Sequence, residues 1–237
     1  MKTTHSIIII LGMIILTFIK SLNAQNPDPV TLGEEFPDFT LISHTGDSVS
    51  LHDYEGQNVI LVFPRGRFME GWCRACHYMY ADLAELQIKD EIEKKYDLKI
   101  LFILPYPEAD IKDWTEAFPA QMKIIEQFKY PPEERQDDPR FMNFAQEMKM
   151  AMPKDFSFDE ENPAPLPFPV LADTDHKLSS SLKLYSTNWT DRYFEQNEPT
   201  IFILDKNGVV QFKYHSQVTL DRPKADYLIN YIDKVMD

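Results

Sequence analysis

Cys73 and Cys76 are the only cysteines in a chain of 237 residues, and they stand three positions apart. A strand-like run, Val59-Ile60-Leu61-Val62-Phe63, precedes them and is stopped by Pro64. A short polar loop then delivers Trp72-Cys73-Arg74-Ala75-Cys76 to a stretch with helical periodicity. The order is a buried strand, a loop and two thiols at the start of a helix, which is the placement a reactive dithiol requires.

A thiol in the first turn of a helix lies beside unpaired backbone N–H groups. Their partial positive charge stabilises its thiolate and draws its pKa from about 8.5 into the range of roughly 3.5 to 7.5. Cys73 is therefore the expected nucleophile. Cys76, one turn on, is the expected resolving thiol, able to attack a mixed disulfide on Cys73. Arg74 and His77 are expected to add positive charge beside the thiolate. One alternative is an inert structural disulfide, but so short a loop removes little entropy from the unfolded chain. A zinc site would need two further ligands, and no pair among the six histidines has ligand spacing. No metal and no cofactor is expected.

Several segments, in order, resemble the redoxin superfamily of the thioredoxin fold, and within it the alkyl hydroperoxide reductase/thiol-specific antioxidant (peroxiredoxin-like) family. They are Gly33-Glu34-Glu35-Phe36-Pro37-Asp38-Phe39-Thr40-Leu41, Phe63-Pro64-Arg65-Gly66, the Trp72 to Cys76 motif, Phe168-Pro169-Val170-Leu171-Ala172-Asp173 and Pro199 to Gly208. The resemblance implies an α/β thioredoxin-like fold: a central mixed sheet flanked by helices, with an N-terminal β-hairpin extension and a helical or irregular insertion. It implies Trp72, Arg74 and Pro199 around a substrate groove, with Pro199 following a cis bond as in thioredoxin-like reductases. Many peroxiredoxins carry a peroxide-holding arginine at that position, a proline seven residues before the reactive cysteine and a threonine three before it. Here Pro64 lies nine before Cys73 and Glu70 three before.

The loop also differs from thioredoxin, with extra residues that include Arg67, Phe68, Met69 and Glu70. Thioredoxin's buried acid would fall near Val62 and is missing. Glu70 or a water is the candidate proton acceptor for Cys76, the alternative being a solvated surface glutamate. Arg65 or Arg67 is the candidate to supply the charge a peroxidase would need. The resemblance thus leaves three functions open. The first is a thiol–disulfide oxidoreductase acting on protein disulfides, the second a thiol peroxidase. The third is a non-catalytic binding or metal-delivery module, against which the Cys-x-x-Cys spacing argues.

Residues 1–24 read as a secretory signal peptide: Lys2, an apolar run from Ser6 to Ile19, then Leu22-Asn23-Ala24. An uncleaved N-terminal anchor is the alternative, since Leu22 is large for a cleavage position. Removing the segment takes Lys2 and Lys20 and no acid, so the net charge goes from −14 to −16. Such a surface repels nucleic acid and anionic membranes. The expectation is an exported, periplasmic protein with no stable membrane span once the signal is cleaved, whose dithiol is re-reduced by an unidentified partner.

Residues 25–237 are expected to form one redoxin domain. Phe36, Phe39 and Leu41 point inward, and a second short strand runs through Val49 and Leu51. The active-site helix is expected from Cys73 to about Lys95, then a strand from Leu98 to Leu104 and a helix from Glu108 to about Phe118. Residues 118–167 hold eight of the 17 prolines and read as an insertion, a lid, a docking surface or an inert excursion, with one amphipathic helix from Arg140 to Met152. Further on, a strand at Phe168–Leu171 and a helix at Thr174–Tyr185 precede a hairpin about Asp205-Lys206-Asn207-Gly208. A last helix is expected from about Pro223 to Met236.

Overall fold

A computed structural model describes residues 30–236 except Glu70, Asp191 and Arg192. The expected signal segment and the candidate Glu70 lie outside the described residues. Among the described residues no helix is long and apolar enough to cross a membrane.

The chain opens with a hairpin, β1 (Thr40–Ser43) and β2 (Ser48–Ser50), turned at Gly46. Leu51 begins a 3₁₀ turn instead of extending β2, because the Asp53 carboxylate accepts the Ser50 N–H at 3.0 Å. The central strand β3 (Asn58–Phe63) leads to the ribbon β4 (Arg67–Phe68) and β5 (Gly71–Trp72), and then to helix α1 (Arg74–Asp90). The helix stops short of Lys95. Glu91 turns left-handed at φ 47°, and a separate turn, α2 (Ile92–Lys95), brings the Glu93 carboxylate to the Ile100 N–H at 3.1 Å.

Strand β6 (Leu98–Leu104) and helix α3 (Glu108–Glu116) follow. The proline-rich stretch then forms α4 (Phe118–Lys129), α5 (Glu133–Gln136) and α6 (Pro139–Ala151). Helix α4 was not legible in the sequence, yet its proline sits in the first turn, where the missing N–H costs no hydrogen bond. Phe118, Met122 and Ile125 of α4 and Met148 of α6 join the same apolar cluster as α1.

After β7 (Val170–Ala172), the helix expected from Thr174 to Tyr185 is only α7 (Lys177–Ser181). The buried Asp173 carboxylate caps it by accepting the N–H groups of Leu178 and Ser179, and left-handed residues at His176 and Lys183 bound it. The ribbon β8 (Tyr185–Ser186) and β9 (Gln196–Asn197), the hairpin β10 (Thr200–Leu204) and β11 (Val210–His215), and α8 (Ala225–Val235) complete the chain.

The seven-stranded sheet has the order β11-β10-β3-β6-β7-β1-β2, with β3 parallel to β6 and antiparallel to β10. Side chains alternate across β3. Ile60 and Val62 face the cluster built with α1, α3, α4 and α8, whereas Val59, Leu61 and Phe63 face Phe36, Phe39 and Leu178 on the other side. A strand apolar on both faces is what a central strand covered on both sides demands. Its C-terminal end delivers the loop that carries the thiols.

Candidate active site

Cys73 is the N-cap of α1, in extended conformation at φ −67° and ψ 109°. Its carbonyl accepts the N–H of Cys76 at 3.1 Å and of His77 at 3.3 Å. Its own N–H donates to the Gly66 carbonyl at 2.8 Å, which folds the long loop back on the helix start. Gly66 has φ +84°, and a Cβ there would lie 2.3 Å from the Tyr106 ring. The Tyr106 hydroxyl accepts the Arg67 N–H at 2.8 Å and donates to the Glu195 carbonyl at 2.6 Å, so one side chain fastens both loops over the dithiol. Trp72 packs edge-on against Tyr106, with the Arg67 guanidinium 4.4 Å from the Trp72 ring and 2.6 Å from the Asp110 carboxylate.

Both thiols are reduced and buried, each 2% exposed. The Cys76 thiol donates to the Cys73 sulfur, and this hydrogen bond, opposed by burial, is the largest influence that lowers the Cys73 pKa to about 6. The positive charge of Arg222, the Cys76 N–H and the charge of Arg65 push the same way. Burial and the neighbouring Cys73 raise Cys76 well above the usual thiol range. The two thiols are therefore pushed apart in acidity by the hydrogen bond between them and by the burial and neighbouring charge that raise Cys76, while Arg222 lowers both.

Of the two expected cations, Arg74 interacts electrostatically with Cys73, joined by Arg65 and Arg222 from elsewhere in the chain, whereas His77 is not charged. His77 is fully buried against Trp114 and Phe118, and burial lowers its pKa to about 4. It is neutral near pH 7 and adds no positive charge beside Cys73, contrary to expectation. The Arg74 guanidinium lies 5.2 Å from the Phe128 ring, on the side of α4. Arg65, fully buried, donates from Nε to Gln196 Oε1 at 2.5 Å and stacks on Phe68 and Trp189. Arg222, just before α8, reaches the same indole at 5.8 Å.

Arg222 and Trp189 are the site residues that sequence reasoning missed. No local pattern marks an arginine before Pro223 or a tryptophan in a loop, and only the return of the chain brings Arg222 to the dithiol and Trp189 onto the guanidiniums of Arg65 and Arg222. Pro199, Cys76 and Arg222 do line one small crevice of about 10 Å³, with Pro64 and Met79. The bond before Pro199 is trans, however, since the described residues contain no cis peptide. The Asn197 N–H donates to the Arg65 carbonyl, the Glu198 N–H to the Leu184 carbonyl, and the Pro199 carbonyl accepts from Ser216. These bonds hold the segment extended into β10, and the expected likeness to the thioredoxin cis-proline loop fails there. Among the described residues no cluster of His, Cys, Asp and Glu could hold a metal ion.

A model of the AhpC/TSA family matches residues 32–131, from the N-terminal hairpin through the dithiol into α4 and the residues just after it. Solved structures with the same fold as this chain include peroxidoxin BcpB from Mycobacterium tuberculosis, 13% identical, covering 88% of this chain and 99% of that one with a TM-score of 0.53. AhpC of Mycobacterium bovis is 18% identical over 90% of this chain and 100% of that one, TM-score 0.55. The reduced 2-Cys peroxiredoxin of Plasmodium vivax is 16% identical over 88% of this chain and 82% of that one, TM-score 0.53. No curated protein matches this chain. At these identities the structural likeness is one of fold, a thioredoxin-like sheet with helices on both faces. The family segment and the adjacent pair of thiols support a redox enzyme.

Proposed function

We propose that this redoxin is an exported thiol–disulfide oxidoreductase in which Cys73 attacks and Cys76 resolves. The observation that carries the reading is the split acidity of a buried dithiol whose lower thiol accepts a hydrogen bond from the other. The Cys73 thiolate attacks one sulfur of a substrate disulfide, forming a mixed disulfide and expelling a thiolate that takes up a proton. Cys76, once deprotonated, attacks the Cys73 sulfur, forms the intramolecular disulfide and releases the second substrate thiol. Two electrons pass from the dithiol to the substrate, and a reducing partner returns them. Export rests on the signal-like segment 1–24, which would place the dithiol in the periplasm.

A second reading, thiol peroxidase, is favoured by Arg65 and Arg222. Two guanidiniums acting on the Cys73 thiolate supply charge that can also stabilise a departing alkoxide or hydroxide. The thiolate would attack one peroxide oxygen, leaving a sulfenic acid that Cys76 condenses with loss of water. Burial of both thiols also favours a small oxidant over a protein.

Stopped-flow oxidation of the reduced protein separates the two. The proposal expects fast reaction with a small disulfide and, with hydrogen peroxide, a rate near that of an ordinary exposed thiolate. Peroxide oxidation orders of magnitude faster, lost in Cys73→Ser and weakened in Arg65→Ala or Arg222→Ala, would transfer the assignment to the peroxidase.

A further inference from the structure

Lys154 follows α6, in the stretch that the sequence marks as an insertion, and its ammonium is held by the active-site helix. Its Nζ lies 2.6 Å from Asp82 Oδ1 and 2.7 Å from Glu85 Oε2, both on α1. Its backbone N–H donates to the Tyr78 hydroxyl at 2.9 Å. The Asp82 side chain is 8% exposed, and its Oδ2 accepts the Ala225 N–H at 3.2 Å, where α8 begins.

Asp82 and Arg222 line one crevice, together with Met79, Met152 and Leu220. The Arg222 side chain is 9% exposed; its Nη1 donates to the Val218 carbonyl and the Asp221 carboxylate, while its buried Nη2 has no hydrogen-bond partner among the described residues. Asp82 is thus a rival anion within the same enclosure as the guanidinium that acts on Cys73. A buried carboxylate stripped of its cation draws whatever charge is near, because an unpaired charge is costly away from water. Lys224 also lines the crevice, but it is exposed and its charge is met by solvent.

We propose that Lys154 is a positioning residue which, by neutralising Asp82, keeps Arg222 turned toward Cys73, so that the segment after α6 sets the reactivity of the thiol. The inference rests on Cys73 as the reactive thiol and is indifferent to the substrate. The charged or titratable groups facing Cys73 are Cys76, Arg65, Arg74, Arg222 and Tyr106, and Arg222 itself is paired with Asp221. Those around the Asp82–Lys154 pair are Glu85, Tyr78, Asp155 and Lys224.

The test is the pH dependence of iodoacetamide alkylation of Cys73 in the reduced full-length protein, with the labelled site identified by mass spectrometry. Arg222→Met and Lys154→Met should each raise the midpoint by about one pH unit, a roughly tenfold change in the thiolate-to-thiol ratio. Lys154→Arg should keep the native midpoint. Asp82→Asn/Lys154→Met should return to it, because the rival carboxylate is gone while the amide oxygen still caps Ala225. If Lys154→Met does not fold, Lys154→Gln should shift the midpoint in the same direction by less. A shift in Arg222→Met with none in the Lys154 variants overturns the proposal, as does a double variant that stays as high as Lys154→Met. An unmoved midpoint in Arg222→Met would remove its premise, that Arg222 acts on Cys73, without bearing on the identity of the substrate.

Discussion

The Gly66 carbonyl accepts the Cys73 N–H at 2.8 Å, so the residue that opens the long loop also closes it onto the dithiol. Gly66 can do this because its φ of +84° and its lack of a Cβ let the backbone pass against the Tyr106 ring. Gly66→Ala should destabilise the protein by about 1–3 kcal/mol through strain and overlap. Urea unfolding would measure the loss. Alkylation of Cys73 should accelerate in the same variant as the loop loosens, and unchanged stability would show that the loop has room to shift.

The lowered pKa of Cys73 predicts its labelling. Iodoacetamide should modify Cys73 with a midpoint near pH 6, whereas Cys76, raised by burial and by its neighbour, should stay unlabelled through neutral pH. Arg74→Ala should move that midpoint less than Arg222→Met, since Arg74 lies over Phe128. The sign for stability follows from the same shift. A thiol at about 6 in the fold and about 8.5 unfolded stabilises the reduced protein fully above pH 8.5, and that contribution is lost as pH falls through 6. Denaturation of the reduced protein against Cys73→Ser across this range checks the slope.

Burial holds His77 at about 4, well below its unfolded value of roughly 6.5. The unfolded chain therefore binds more protons between these values, and stability should fall as pH drops from 6.5 toward 4, by at most about 1.4 kcal/mol per pH unit. His77→Gln should flatten that part of the profile in equilibrium unfolding.

Tyr80 is fully buried, and its hydroxyl donates to the Phe168 carbonyl at 2.8 Å and accepts the Phe168 N–H at 3.1 Å. Tyr80→Phe leaves both backbone groups without their partner and should cost about 1–3 kcal/mol. The urea midpoint should fall at constant slope, and a changed slope would mean that the native packing itself had altered.

The chain by itself determined the central strand, the helix start with its two thiols and the closing hairpin, because these are local. A β-branched run stopped by proline, a helical period after Cys73 and an Asn-Gly step each act over a few residues. Local pattern also carried the wrong charge assignment at His77, since a sequence neighbour says nothing about burial, and Trp114 and Phe118 exclude water from that ring. Helix α4 escaped notice because its proline reads as a breaker until the helix start is known. Only the tertiary structure decided which cations face Cys73, that the bond before Pro199 is trans, and that Lys154 meets Asp82. Those facts depend on distant segments crossing at the end of the sheet, where burial strengthens each charge and the chain's return path selects its partner.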